Sequence, residues 1–323
     1  MSTIPCAVSL ALLLGALGCD PAPEPDHTPE VAARAGLLSG PDVVELQTTL
    51  ANGDDANVYV PEVPSWLSGV FEDRFPVVVV LQGGLVPADQ YSEYASTLAA
   101  FGFVVVVPDR VRALPPLFPE PVALSESAAI TTSLDQLAVL DADPSSPVYR
   151  VADLDTAALA GHSLGGAVGL LTIDGQCTFP LCTPPFELPA SVQAAAFFGT
   201  NLVDAGVVTD IDSSSVSVAL LQGDLDGVAP PAEAETTYQI LETPRALIDF
   251  EGLNHFGITN DNLVPGAQPD PSPQTVDQQE GIERLALWTA LWLRAELRGG
   301  PLAQLWLFEI GGSLDGTVTV TSD

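Results

Sequence analysis

Residues 156–166 read Thr-Ala-Ala-Leu-Ala-Gly-His-Ser-Leu-Gly-Gly, TAALAGHSLGG. Thr156–Ala160 is a short strand-type run, and Leu164–Ile173 is an apolar stretch of helical length. Between them, Gly161 and Gly165 flank Ser163 in the pattern G-x-S-x-G, a sharp strand-to-helix turn. The reason for the glycines is steric. The turn strains the serine backbone and brings the chain close to itself, so its neighbours must be small. Ser163 Oγ then stands exposed at the end of the sheet, with a helix N-terminus behind it. His162 reads as a packed neighbour of that turn.

Outward from this point the chain alternates between strand and helix. Val77–Leu81 and Phe103–Val107 are wholly apolar, β-branched runs, the signature of strands covered on both faces. Gln90–Phe101 reads as a helix capped by Asp89 and ended by Gly102. Ser125–Leu140, Ala232–Leu241 and Ile282–Leu297 read as further helices. Val192–Phe198, Val216–Leu221 and Ala246–Phe250 read as strands, and Val43–Leu50 and Ala56–Val60 as edge strands. The class is α/β: a mainly parallel central sheet with helices on both faces and a site beyond the C-terminal strand ends. One domain spans 39–299; residues 300–323 form a C-terminal tail with no assigned role.

A serine hydroxyl is a poor nucleophile until a base takes its proton. The chain has three histidines. His27 lies in a Pro-rich acidic stretch and His162 points away from Ser163, which leaves His255, just after the strand Ala246–Phe250. The imidazole in turn needs an acid, and Gly223-Asp224-Leu225-Asp226-Gly227 follows Val216–Leu221. Asp226 is the preferred acid; Asp224 is the competitor, with a role in bracing the turn as its other reading. Oxyanion donors are expected from the Leu164 N–H and from Gln82-Gly83-Gly84-Leu85, with Gly84 preferred and Gly83 or Leu85 as alternatives.

The stretches QGGLVPADQYSEYASTLAAFGFVVVVPD (82–109), GHSLGG (161–166), GDLDGVAP (223–230) and GLNHF (252–256) resemble one known group. They are similar to the chlorophyllase-like and bacterial polyester hydrolase (cutinase-like) serine esterases of the α/β-hydrolase superfamily. The resemblance implies the α/β-hydrolase fold and carboxylic-ester hydrolysis without cofactor or metal. It puts the acid on Asp226 and the first oxyanion donor on Gly84. Polyester hydrolases carry an aromatic residue at that donor position and a tryptophan soon after the strand following the nucleophile helix. Here those places read Gly84 and Phe198-Gly199-Thr200-Asn201, so an aromatic clamp is not implied.

Charge narrows the partners. Nine Lys+Arg, all arginine, stand against 42 Asp+Glu, for a net −33. Such a surface repels nucleic acid and anionic lipid headgroups, and disfavours anionic substrates. The expected substrate is a neutral ester, small or lipid-like. The apolar, Pro-rich loop Arg110–Ala123 reads either as a roof over its acyl site or as a packed surface loop. A lipase, thioesterase or peptidase on the same machinery, or a silent binding protein of the same fold, are the competing readings. Oligomeric state is not legible.

Ile4–Gly18 is an apolar run too short to span a bilayer, followed by Cys19. Ala16-Leu17-Gly18-Cys19 resembles a bacterial lipobox, which makes 1–18 a lipoprotein-type signal peptide, Cys19 the lipid anchor and 19–38 an acidic, Pro-rich tether. The expected location is outside a bacterial cytoplasm, lipid-anchored in the envelope or secreted, with membrane contact through that anchor alone. In such a compartment Cys177 and Cys182 read as a local disulfide in a Pro-rich loop.

Overall fold

The computed structural model describes residues 42–62, 74–116 and 118–323. The expected signal segment, the tether, His27 and Cys19 lie outside these residues.

Alternation of side chains along fully apolar strands dictates the layering. In β3 (Phe75–Leu81), Val78 and Val80 enter one buried cluster while Val77, Val79 and Leu81 enter another. The first cluster packs under α1 (Ser92–Ala100) and the second under α2 (Ala128–Ala142). Between these helices run β4 (Val104–Asp109) and a hairpin of β5 (Val111–Leu114) and β6 (Phe118–Ala123). Upstream, β1 (Asp42–Thr49) and β2 (Asp55–Glu62) pair antiparallel.

Downstream come β7 (Ala152–His162), α3 (Leu164–Ile173), β8 (Val192–Phe198), a two-residue hairpin of β9 (Val203–Asp204) and β10 (Val207–Val208), and β11 (Ser217–Gly223). Then follow α4 (Pro231–Ile240), β12 (Arg245–Phe250) and the long α5 (Gln278–Arg298). Among the described residues nine strands form one sheet, in the order β1-β2-β4-β3-β7-β8-β11-β12 and a last strand, β13 (Val318–Ser322). The run from β4 to β12 is parallel; the pairs β1–β2, β2–β4 and β12–β13 are antiparallel. This is the expected α/β-hydrolase fold. Asp277 caps α5 by accepting from the Gln279 and Glu280 N–H groups, and Gly299 ends it in the left-handed region. Trp288 and Trp292 on α5 are fully buried against the sheet.

Four expectations change. Asp89 is not a cap: it lies inside a 3-10 turn (Ala88–Tyr91) that precedes α1, and no side chain caps that turn. β2 is not an edge strand, since β4 pairs with its other side. Helix α2 starts at Ala128 rather than Ser125 because Ser125 and Glu126 are engaged in tertiary hydrogen bonds. The loop expected at Arg110–Ala123 is the β5–β6 hairpin, whose base is pinned by Arg110 and Arg112 on the buried Glu126.

The fifth change concerns the tail. After α6 (Pro301–Leu305), a π turn (Trp306–Ile310) and α7 (Gly311–Leu314), β13 completes the sheet beside β12. Trp306, Leu307 and Val318 join the α1/α5 core. The boundary expected at Gly299 therefore moves to the last strand. Full burial of each such side chain stabilises by ~1.5–3 kcal/mol, against a typical net stability of ~5–15 kcal/mol. Deleting residues 300–323 is expected to remove cooperative thermal unfolding; a truncated chain melting within a few degrees of the full chain would contradict this packing.

Asp249, on β12, supplies a test in pH. Burial first, then Glu235 and Asp224, push its carboxyl up from 3.8 to about 6. Below pH 3.8 the group is protonated in both states and costs nothing. As pH rises from 3.8 to about 6 the folded chain alone keeps the proton, so stability falls, and the full penalty remains above that window. Allowing for solvent screening of this half-buried group, the penalty is about 1–2 kcal/mol. Asp249→Asn is expected to raise the melting temperature at pH 8 and leave it unchanged at pH 3.5; equal shifts at both would contradict the assignment.

Candidate active site

Ser163 sits between β7 and α3 with φ 53° and ψ −122°, the strained turn that the sequence implied. Three contacts hold it there. Its N–H donates to Phe198 O at 3.0 Å, and its carbonyl accepts from Ala167 N–H at 3.1 Å and from Thr200 Oγ1 at 2.9 Å. Gly165 is obligatory: a β-carbon there would lie 2.2 Å from Leu81 O and 2.5 Å from Gln82 O.

The structure brings the three expected groups into series. His255 Nδ1 lies 2.9 Å from Asp226 Oδ2, and His255 Nε2 lies 2.9 Å from Ser163 Oγ. A carboxylate accepts only, so Nδ1 carries the proton and donates to Asp226. The neutral ring then offers its Nε2 lone pair to the Ser163 hydroxyl. Asp226 Oδ1 accepts from the Val228 and Ala229 N–H groups at 2.9 and 2.7 Å, so both of its oxygens are fixed. Asp226 and His255 are buried, while Ser163 is partly open to solvent. Asp224 takes the other reading: its Oδ1 accepts from Gly252 N–H at 2.6 Å and braces the turn after β11 against the turn after β12.

The loop after β3 divides its donors clearly. Gly83 N–H donates to Tyr91 Oη at 2.7 Å, and Leu85 N–H donates to Ala123 O at 2.8 Å. Among the described residues nothing accepts from the N–H of Gly84 or of Leu164. The two are neighbours: an atom attached to Gly84 Cα would stand 3.2 Å from Leu164 Cδ2. Gln82, itself buried, fixes the loop's start by accepting from Arg110 N–H through its side chain and from Ser125 Oγ through its carbonyl.

Cys177 and Cys182 form a disulfide in the loop between α3 and β8. That loop joins the hairpin: Arg112 donates to Pro180 O, and Thr183 Oγ1 donates to Glu126 Oε1 at 3.0 Å. Among the described residues, no group of His, Cys, Asp and Glu is arranged to hold a metal ion.

Asp270 escaped the sequence reading. Its carboxylate accepts from His255 N–H at 2.9 Å, from Gly227 N–H at 3.2 Å and from Ser272 N–H at 2.7 Å, so it ties the acid loop to the histidine loop. It lies in a Pro-rich stretch with no periodicity, and no local pattern marks it. His162 is fully buried. Loss of hydration, then the neighbouring His255, hold its imidazole well below the ordinary range, so it is neutral.

Fold and site together define the class: the chain is a hydrolase of the α/β-hydrolase fold. A family model described as Chlorophyllase matches residues 61–178. That stretch holds the Gln82–Leu85 loop and the Ser163 turn; Asp226 and His255 lie beyond it. No curated protein matches the chain.

Asp270→Ala removes the carboxylate that accepts from three backbone N–H groups and ties the two loops. It is expected to weaken or broaden the downfield proton resonance of His255 Nδ1–H while the fold persists. A resonance of unchanged position and width would show that Asp270 does not hold the two loops in register.

Proposed function

We propose that this chain is a serine carboxylic-ester hydrolase acting on neutral esters through an acyl-enzyme. The observation that carries the reading is the pair of 2.9 Å contacts in series, Ser163 Oγ to His255 Nε2 and His255 Nδ1 to Asp226. They join three loops that leave the C-terminal ends of parallel strands, where ligands bind in such sheets.

His255 Nε2 takes the Ser163 proton as Oγ attacks the ester carbonyl carbon. The carbonyl π pair becomes an oxyanion, held by the Gly84 and Leu164 N–H groups. Asp226 stabilises the imidazolium that forms and keeps its ring oriented. Collapse expels the alkoxide, which takes the proton back from Nε2 and leaves as alcohol. Water then enters, gives its proton to Nε2 and attacks the acyl carbon. Ser163 leaves with that proton, and the carboxylic acid is released. Loss of one of the two donors costs ~100- to 1000-fold in turnover.

The charge of −33 favours uncharged esters over anionic acyl carriers such as acyl-CoA. Ile4–Gly18 with Cys19 supports export, with lipid anchoring in the envelope.

A fluorophosphonate probe is expected to label Ser163 and a panel of chromogenic esters to be cleaved in preference to peptide amides. Ser163→Ala should lose both labelling and turnover. Asp226→Asn, which lets the ring adopt the wrong tautomer, should lower kcat by ~10,000-fold. Normal ester turnover by Ser163→Ala would overturn the reading; absence of labelling in the unaltered chain would favour a silent binding protein.

A further inference from the structure

Beneath the nucleophile turn, a second polar series runs through buried side chains that the proposed mechanism does not use. Gly83 N–H donates to Tyr91 Oη at 2.7 Å. Tyr91 Oη lies 2.9 Å from His162 Nδ1, and His162 Nε2 lies 2.9 Å from the carbonyl oxygen of His255. Tyr91 and His162 are both 0% exposed.

The direction of every link follows from one end. A backbone carbonyl only accepts, so His162 Nε2 must carry the proton and donate to His255 O. A neutral imidazole has one N–H, so Nδ1 is an acceptor and Tyr91 must donate its hydroxyl proton to it. The lone pairs of the phenol oxygen are then free for Gly83 N–H. The opposite tautomer would leave two groups facing each other with no proton between them at His255 O, and a Tyr91 proton with no acceptor at the other end. Burial makes such gaps costly. Hence the series has one hydrogen arrangement.

We propose that Tyr91 and His162 are positioning residues that fix the oxyanion loop relative to the catalytic imidazole. They do so by tying Gly83 N–H to the main chain of His255. The inference rests on the ester-hydrolase reading above. The Gly83 N–H lies in the peptide that precedes the one carrying the Gly84 N–H, so anchoring it fixes the point from which that next peptide starts. Close approach is built in: a β-carbon on Gly83 would lie 2.7 Å from His162 Nδ1. Three segments far apart in sequence thus meet at one imidazole, which belongs to the turn that carries Ser163. Apolar side chains would fill the same space, but they would leave Gly83 N–H, in the middle of the loop, without its acceptor.

Tyr91→Phe keeps the ring and removes the link. With a chromogenic neutral ester, kcat is expected to fall roughly 10- to 100-fold, part of the ~100- to 1000-fold that outright loss of a donor costs, with KM within about twofold. Affinity for a trifluoromethyl ketone should fall by the same factor. In that adduct Ser163 Oγ bonds to the ketone carbon, the proton passes to His255 and the oxygen becomes an oxyanion in the same hole. A purely structural role would not make the two losses track each other. Unchanged kcat and unchanged ketone affinity would overturn the proposal. If Tyr91→Phe fails to fold, two other measurements decide. His162→Gln, which can still donate to His255 O and accept from Tyr91, should retain more turnover than His162→Leu. Nitrogen NMR of the unaltered protein should find the His162 proton on Nε2. Equal activities of the two variants, or a proton on Nδ1, would overturn the proposal. Ser163→Ala is assayed beside them: turnover surviving in that variant removes the ester-hydrolase reading itself, whereas a silent Ser163→Ala with a normal Tyr91→Phe removes the positioning series alone.

Discussion

Ser163 has a backbone conformation, φ 53° and ψ −122°, that a residue with a β-carbon keeps only when its surroundings permit nothing else. The surroundings are the sheet itself. Its N–H is claimed by Phe198 at the end of β8, its carbonyl by Thr200 just beyond, and Gly165 lies against the backbone of Leu81 and Gln82 at the end of β3. The parallel pairing of β7 with β3 and with β8 is therefore what aims the hydroxyl. Those three strands are buried on both faces, so the turn inherits the rigidity of the core rather than that of a surface loop.

The rest of the site is attached to the same frame by polar ties. Asp226 is held by the N–H groups of Val228 and Ala229, and its loop is tied through Asp270 to the loop of His255. Gln82 and Ala123 hold the two ends of the oxyanion loop. Ser163, His255 and Asp226 are thus tied to segments beyond their own turns. Electrostatic stabilisation of a transition state depends on donors that need not reorganise when charge appears. For the proposed reaction, cross-links between loops, more than any single loop's stiffness, would provide that condition.

Charge imbalance shapes how the fold is held together. With nine arginines against 42 carboxylates, each cation is scarce, and those in the described residues join segments remote in sequence more often than they decorate the surface. Arg245 holds the last residue, Asp323, beside β12; Arg298 reaches Asp153; Arg110 bridges Asp54 and Glu126. Exposed pairs contribute little singly. Glu126 is different, because it is buried and accepts from Arg110, Arg112 and Thr183 at once. That carboxylate fastens the β5–β6 hairpin and the disulfide loop to the base of the oxyanion loop.

Much of this was legible where the physics is local. Valine runs and the glycines around Ser163 are read within a few residues, and the parallel sheet and the nucleophile turn follow from them. What escaped reading depends on partners far along the chain. Arg110–Ala123 carries four prolines and no clean alternation, so nothing local announces a hairpin; Glu126 and Pro180 make it one. Residues 300–323 look like an appendage because Gly299-Gly300-Pro301 resembles a linker, yet β12 would expose its free edge without β13. Tyr91 shows helical spacing with Tyr94, Ala95 and Leu98, which explains its burial and hides its hydroxyl. Periodicity reports which face of a side chain is apolar; it carries no information about where the one polar atom at its tip ends. Residues whose task is performed by that atom are the ones that a sequence conceals, and in this chain they lie directly behind the reacting groups.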